Sequence, residues 1–224
     1  QPRLVVAEQA VAALESWVES ADDATALATV LEVRRTLAGG ASERAALGQR
    51  LTEVASTRLG DKQRALRYAL DWLTDEPGSI DALREATDLV ASRGEWSAFA
   101  ERLRAIATSI HDGEIRRGVL MALGDVEHRR LNDLDAAART FAAARAETGG
   151  NDGPEGLAVL DALALVQRAR GDHAALAEVE WRRGELQGAP ADRADAFVAA
   201  AELREQVGDV PGAAGVHPLE RGQG

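Results

Sequence analysis

Histidines at 111, 128, 173 and 217 are the side chains of this chain best suited to act as general bases or metal ligands near neutral pH. Metal binding from a helix needs two such residues about one turn apart, with a third ligand brought alongside. His128 follows Glu127, but no second histidine stands four residues on, and the other three are isolated. They read as surface or helix-end polar residues. Adjacent acids occur at Asp22-Asp23 and Asp75-Glu76. Such pairs do acid–base work only where burial or a neighbouring charge separates their pKa values. Asp22-Asp23 stands where a helix begins, a place explained by capping, and Asp75-Glu76 precedes Pro77 and reads as a solvated turn. Gly39-Gly40 and Gly149-Gly150 lack the Gly-Lys-Ser/Thr that would make a phosphate-cradling loop, and no serine nucleophile elbow is present. The absence of cysteine removes disulfides, thiolate chemistry and Cys-based metal sites. These residues predict no catalytic site, no metal and no cofactor, and a chain that is not an enzyme.

The elements that would carry any site are helices. Leu83, Ala86, Thr87 and Val90 fall at i, i+3, i+4 and i+7. Ile115, Val119, Ala122 and Val126 repeat the pattern, as do Val159, Ala162, Leu163 and Val166. An apolar stripe of this period is one buried helix face. No segment sustains the alternation of a strand. Five breaks share a form: Leu59-Gly60-Asp61, Arg93-Gly94-Glu95, Leu131-Asn132-Asp133, Arg170-Gly171-Asp172 and Val207-Gly208-Asp209. Gly or Asn there can close a helix in the left-handed conformation, and the following acid favours the next N-terminus. Their Gly/Asn positions lie 34, 38, 39 and 37 residues apart. A second class of break lies between them, at Gly39–Ser42, Glu76–Ser79, His111–Gly113, Gly149–Pro154 and Gly188–Pro190. Two breaks per roughly 37 residues describe a helix–turn–helix unit in tandem. Across two hairpins, Arg44 and Arg116 each precede the Asp of their turn, Asp61 and Asp133, by 17 residues; Asp192-Arg193 precedes Asp209 by 17 and 16. This loose superperiod reads as duplication of a two-hairpin unit.

Composition agrees. Hydrophobic residues make up 46% and charged residues 28%, a globular balance, while aromatics are only 4%. A core of Ala, Leu and Val suits helices that approach closely. Of the 26 basic residues only Lys62 is lysine, read here as the codon bias of a GC-rich genome. The net charge of −11 repels nucleic acid and anionic lipid, and residues 133–224 hold 16 acids against 9 bases. No apolar run reaches the roughly 18 residues of a membrane span, so no membrane insertion is expected. Gln1-Pro2-Arg3-Leu4 has neither a Met nor a signal-peptide pattern and reads as the edge of a longer or processed chain. A cytoplasmic location is favoured.

The turns resemble those of tetratricopeptide repeats, which carry Gly-Asp, a small residue five positions after the Gly, and a Pro closing the second helix. Gly60-Asp61 is followed by Ala65 and Pro77, and Gly208-Asp209 by Ala213. Leu123-Gly124 matches the family's Leu-Gly pair, with Ala136 and Ala143 downstream; Asn132 sits one position later than the family's Gly. The chain departs from the pattern with Phe99 and Leu176 where Ala is preferred. Ser56, Val90, Gln167 and Arg204 replace the first-helix aromatic. The resemblance covers roughly residues 41–214. It implies an all-α, right-handed α-α superhelix (a solenoid) of about six helix-turn-helix hairpins, whose first helices line a concave groove. In that register the groove-facing residues are Arg50, Asp81, Arg84, Asp88, Asp125, His128, Asp161, Arg168, Asp195, Glu202 and Glu205. The groove is then mixed in sign at its start and acidic toward its end, which fits a basic or mixed-charge peptide; plain solvation of an open face accounts for the same charges.

Residues 1–38 are expected to form a hairpin or cap with Trp17 and Val30 on apolar faces, residues 39–214 the repeat array, and residues 215–224 a frayed tail. Trp72 and Trp181 are expected to fill gaps inside second helices, while Trp96, just after a turn, is open to a second reading as an exposed anchor. The sequence therefore predicts a non-catalytic scaffold that binds a partner protein or peptide through its groove, and no nucleic acid. A structural spacer or oligomerisation segment of a larger multidomain regulatory protein is the alternative.

Overall fold

The computed structural model describes residues 2–149 and 153–208. It forms two compact units, 1–102 and 103–224, divided within the sixth helix. The described residues form eleven α-helices. In unit 1 they are α1 (Pro2–Ser20), α2 (Ala24–Leu37), α3 (Ala41–Glu53), α4 (Lys62–Asp75) and α5 (Ile80–Ala91). α6 (Trp96–Ser109) carries the division. Unit 2 holds α7 (Gly113–Arg129), α8 (Leu134–Ala146), α9 (Pro154–Arg170), α10 (His173–Leu186) and α11 (Pro190–Gln206). No strand occurs among the described residues, and no described helix is long and apolar enough to cross a membrane. Within each unit consecutive helices pack on one another as a series of helical hairpins.

Turn chemistry explains the element boundaries. Gly60, Gly94, Asn132, Gly171 and Gly208, the five positions expected to close helices, all have φ between 53° and 81°. Asn tolerates this left-handed region better than other non-glycine residues. Asp23, Asp61, Asp112, Asp133 and Asp172 each accept backbone N–H groups at the start of the next helix, a cap worth about 1 kcal/mol apiece. Pro154 and Pro190 open α9 and α11, where a missing N–H costs nothing. α3 does not end at Glu53 but widens into a π-helical turn, Val54–Arg58, so that Leu59 N donates to Val54 O and Asp61 N to Ala55 O. The same long-range pair recurs 72 residues later, from Leu131 N to Val126 O and Asp133 N to Glu127 O.

Each predicted stripe faces a core. Ala86, Val90, Val119, Val126, Val159, Leu163 and Val166 are buried. The position five residues after the turn Gly is buried whether it is Ala65, Phe99 or Leu176. Ala143, by contrast, lies on the surface. Close helix approach depends on small residues at three places. A Cβ on Gly124 would lie 2.4 Å from the Phe141 ring, one on Gly184 would lie 2.7 Å from Phe197, and one on Gly48 would lie 3.0 Å from Trp72 Cβ.

Three expectations are corrected. Trp17 does not sit on a buried face: it is 66% exposed, because Glu15 and Val18 take the inward positions of α1. Trp96 is not an exposed anchor but is half-buried, its ring set edge-on to Phe99 at 6.3 Å. Asp75 is no solvated turn residue, since Arg35 and Arg44 both bind its carboxylate, whose side chain is 10% exposed. Trp72 is buried as expected, while Trp181 is half-covered, with Phe197 at 4.9 Å and the Arg204 guanidinium 4.8 Å above its ring. Asp209, Ala213, His217 and the tail 215–224 lie outside the described residues.

Candidate functional site

First helices α1, α3 and α5 of unit 1 carry four of the expected groove residues. Arg50, on α3, reaches across to α1 and pairs with Glu15 and Glu19. Glu15 is buried and also holds Arg34 of α2 at 2.8 Å, so Arg50 is half a structural clamp. Asp81 and Arg84 on α5 pair with each other at 2.7 Å and line a cleft of about 310 Å³. Its other wall comes from Gln49, Thr52 and Glu53 of α3 and from Ser56 and Thr57 of the π-helical turn, with Trp72 and Glu85 completing it. Asp88 is exposed and meets no partner among the described residues.

In unit 2 the first helices are α7, α9 and α11. Arg117 of α7 and Glu155 of α9 join two of them. Asp125 pairs with Arg129 one turn on, and His128 is half-buried beside it. Asp161 and Arg168 turn to α10, meeting Arg183 at 2.8 Å and Glu180 at 3.2 Å. Burial pulls the Arg183 guanidinium down most strongly. Its hydrogen bond to Glu180, helped by the charges of Glu180 and Asp161, outweighs that and leaves it above its ordinary value. Asp195 lines a cleft of about 300 Å³ with Asp192, Glu180 and Arg183. Glu202 and Glu205 are exposed and pair with no described residue. The structure thus brings Asp81 to Arg84 in one cleft and leaves Asp88, Asp195, Glu202 and Glu205 open. Arg50, Asp161 and Arg168 it commits to internal ion pairs.

Sequence reasoning missed an arginine cluster between the second helices of unit 1. A cleft of about 430 Å³ opens between α2 and α4, with α3 beneath, lined by Glu32, Arg35, Thr36, Ala38, Arg44, Leu51, Arg67, Tyr68 and Asp71. Tyr68 donates its hydroxyl to Glu32 and accepts from Arg64 at 3.0 Å, while the Arg67 guanidinium lies 4.9 Å over its ring. Burial, reinforced by the Glu32 carboxylate, pushes the Tyr68 hydroxyl above its ordinary pKa, against the pull of Arg64 and Arg67. The only sequence trace of the cluster is the superperiodic Arg44, whose partner Asp75 lies on another helix. Unit 2 buries two more acids. Glu127, 1% exposed, accepts from Arg104 at 2.6 Å and from the Thr140 hydroxyl at 2.6 Å, and Glu180 holds Arg168 and Arg183. No described group of three or more His, Asp or Glu residues can hold a metal ion.

No protein-family model matches the chain, and no curated protein matches its sequence. Among solved structures it is similar to pilF of Pseudomonas aeruginosa, at 14% identity over 95% of this chain and 90% of that one, with a TM-score of 0.44. It is similar also to BtubC (BKLC) from P. vanneervenii, at 14% identity over 99% and 94%, with a TM-score of 0.45. Both likenesses are remote.

Proposed function

We propose that this chain is a non-catalytic helical-repeat module that binds a partner protein or peptide of basic or mixed charge along the faces of its first helices. The observation that carries this reading is the open cleft between α3 and α5. Two first helices stand apart there, and Glu53, Asp81 and Glu85 outnumber Arg84 along its walls. A shallow polar cleft with acids spaced along two helices suits an extended segment bearing Lys or Arg, because each carboxylate can pair with a different side chain. In unit 2, Asp195, Glu202 and Glu205 extend the same character on α11. The acids that are buried, Glu15, Glu127 and Glu180, are each held by arginine and serve the fold.

Peptide arrays of acidic, neutral and basic 12-residue segments, followed by fluorescence anisotropy at low and moderate salt, test this. Basic segments are expected to bind, with an affinity that falls as salt rises and is lost in the variants Glu53→Lys/Glu85→Lys and Asp195→Lys/Glu202→Lys/Glu205→Lys. Binding indifferent to peptide charge, or unchanged by both sets of reversals, sinks the reading and leaves the spacer or oligomerisation role as the better one.

A further inference from the structure

The cleft between the second helices of unit 1 has the opposite chemistry from the first-helix cleft, and nothing in the proposed function uses it. Around it stand Arg35, Arg44, Arg64, Arg67 and Arg102 against Glu32, Asp71 and Asp75. Of these, the ones that line the cleft are Arg35, Arg44 and Arg67 against Glu32 and Asp71, which leaves one positive charge over in a chain whose net charge is −11. The donors are incompletely used as well. Arg44 binds Asp75 through Nε at 2.8 Å, so its two terminal nitrogens face no acceptor among the described residues. Arg67 reaches Glu32 through Nη2 alone at 3.2 Å, and its side chain is 60% exposed. Arg35 binds Asp71 and Asp75 through its terminal nitrogens while its buried Nε meets no acceptor. A guanidinium carries five N–H donors in a planar fork that matches a carboxylate.

We propose that this arginine-lined cleft receives a carboxylate side chain from an acidic peptide segment of a partner protein. The floor favours that occupant. Leu51, Ala38 and the Tyr68 ring give apolar cover to the methylenes of a Glu, while Arg44 and Arg67 face its head group. A singly charged carboxylate suits the site better than a doubly charged phosphate, because Glu32 and Asp71 already line it and like charge at such range is unfavourable. Overall negative charge repels acidic partners at a distance, so selectivity comes from short-range hydrogen bonds, and binding is expected to persist at moderate salt.

The test titrates the full chain with a fluorescein-labelled peptide carrying three glutamates in a neutral background. A phosphoserine version of the peptide, a lysine version and inorganic phosphate serve as competitors. The glutamate peptide is expected to bind, and Arg67→Gln to weaken it about tenfold, the worth of a charged hydrogen bond. Asp71→Asn is expected to tighten it several-fold by removing a competing carboxylate, a change that damage to the fold does not produce. Circular dichroism melts confirm that both variants fold. The proposal is overturned by absence of binding, by binding that Arg67→Gln leaves unaltered, by an Asp71→Asn variant that binds no better, or by phosphoserine or phosphate binding more tightly than glutamate. The substitutions lie outside the first-helix clefts, so these outcomes are independent of the fate of the basic-peptide reading.

Discussion

Hairpins α3–α4 and α7–α8 share one register, 72 residues apart, and solve the same packing problem in opposite ways. In the first, Gly48 on α3 makes room for Trp72 on α4, while buried Thr52 and Ala69 stand further along. In the second the equivalent positions are Leu120 and Ala144, then Gly124 and Phe141, and it is Gly124 that admits the ring. At each level the larger residue has moved to the other helix, so the ring changes level but keeps to the second helix, while Ala65 and Ala137 stay fully buried in both. The polar positions invert likewise. Glu32 on α2 accepts directly from Tyr68; at the matching positions Arg104 and the shorter Thr140 are bridged by Glu127, where the first hairpin has Ala55. What the register conserves is the volume filled between the two helices, not the placement of any one residue.

The comparison breaks hardest at Glu127. Arg104→Met leaves that buried carboxylate with only Thr140 and is expected to cost about 3 kcal/mol, read as a lower urea midpoint. The matching change Glu32→Gln, at a half-exposed acid, is expected to cost less than about 1 kcal/mol. Equal losses would deny the two positions their different roles. Next, Gly124→Ala drives a Cβ into the Phe141 ring and is expected to cost about 1–3 kcal/mol. Combined with Phe141→Ala the penalty should fall below the sum of the singles, a coupling that a double-mutant cycle reads directly. Gly60→Ala, at a φ of 62°, is expected to cost about 1 kcal/mol, and Gly60→Asn less than half of that, since Asn132 fills the same role.

The smallest effect is spectroscopic. Tyr68 is the only tyrosine in the chain, so absorbance at 295 nm titrates it alone. Its midpoint should lie above that of free tyrosine and move down in Glu32→Gln, though not all the way, because burial is the larger cause. Since the folded chain holds this proton more tightly than the unfolded one, the contribution is intact below the ordinary tyrosine pKa. It is lost as pH rises through the folded value. A midpoint that Glu32→Gln leaves unmoved would remove the carboxylate from the account.

Helices and breaks were legible because their causes are local. A stripe at i, i+3, i+4, a Gly at a left-handed position and an Asp cap all act within a few residues of themselves, and Gly60, Gly94, Asn132, Gly171 and Gly208 took the backbone form assigned to them. The charged side chains were not legible for the opposite reason. Arg50 finds Glu15 and Glu19, Arg44 finds Asp75, and Arg116 finds Glu147, all more than 30 residues away. Register alone turned Arg50 toward a ligand, whereas it closes α1 against α3. Trp17 misled because its neighbours Glu15 and Val18 face inward, one of them a charged residue that only its arginines make tolerable there. The superperiod of Arg44, Arg116 and Arg193 held more than its spacing showed. Each stands at the fourth position of its helix; Arg116 and Arg193 reach back to the carbonyls of Ile110 and Gln187.

Those same arginines decide how the chain yields when pulled. In α3–α4 and α7–α8 the turn joins one end of the hairpin, and Arg44–Asp75 or Arg116–Glu147 latches the other. At the fourth position of α9 stands Leu157, and the ion pairs from α9 to α10 start instead one turn further on, at Asp161, which meets Arg183 at 2.8 Å. Under tension the hairpins α3–α4 and α7–α8 are expected to stay shut longer than they do in the variants Arg44→Met and Arg116→Met, whose extension traces should show rupture earlier and at lower force.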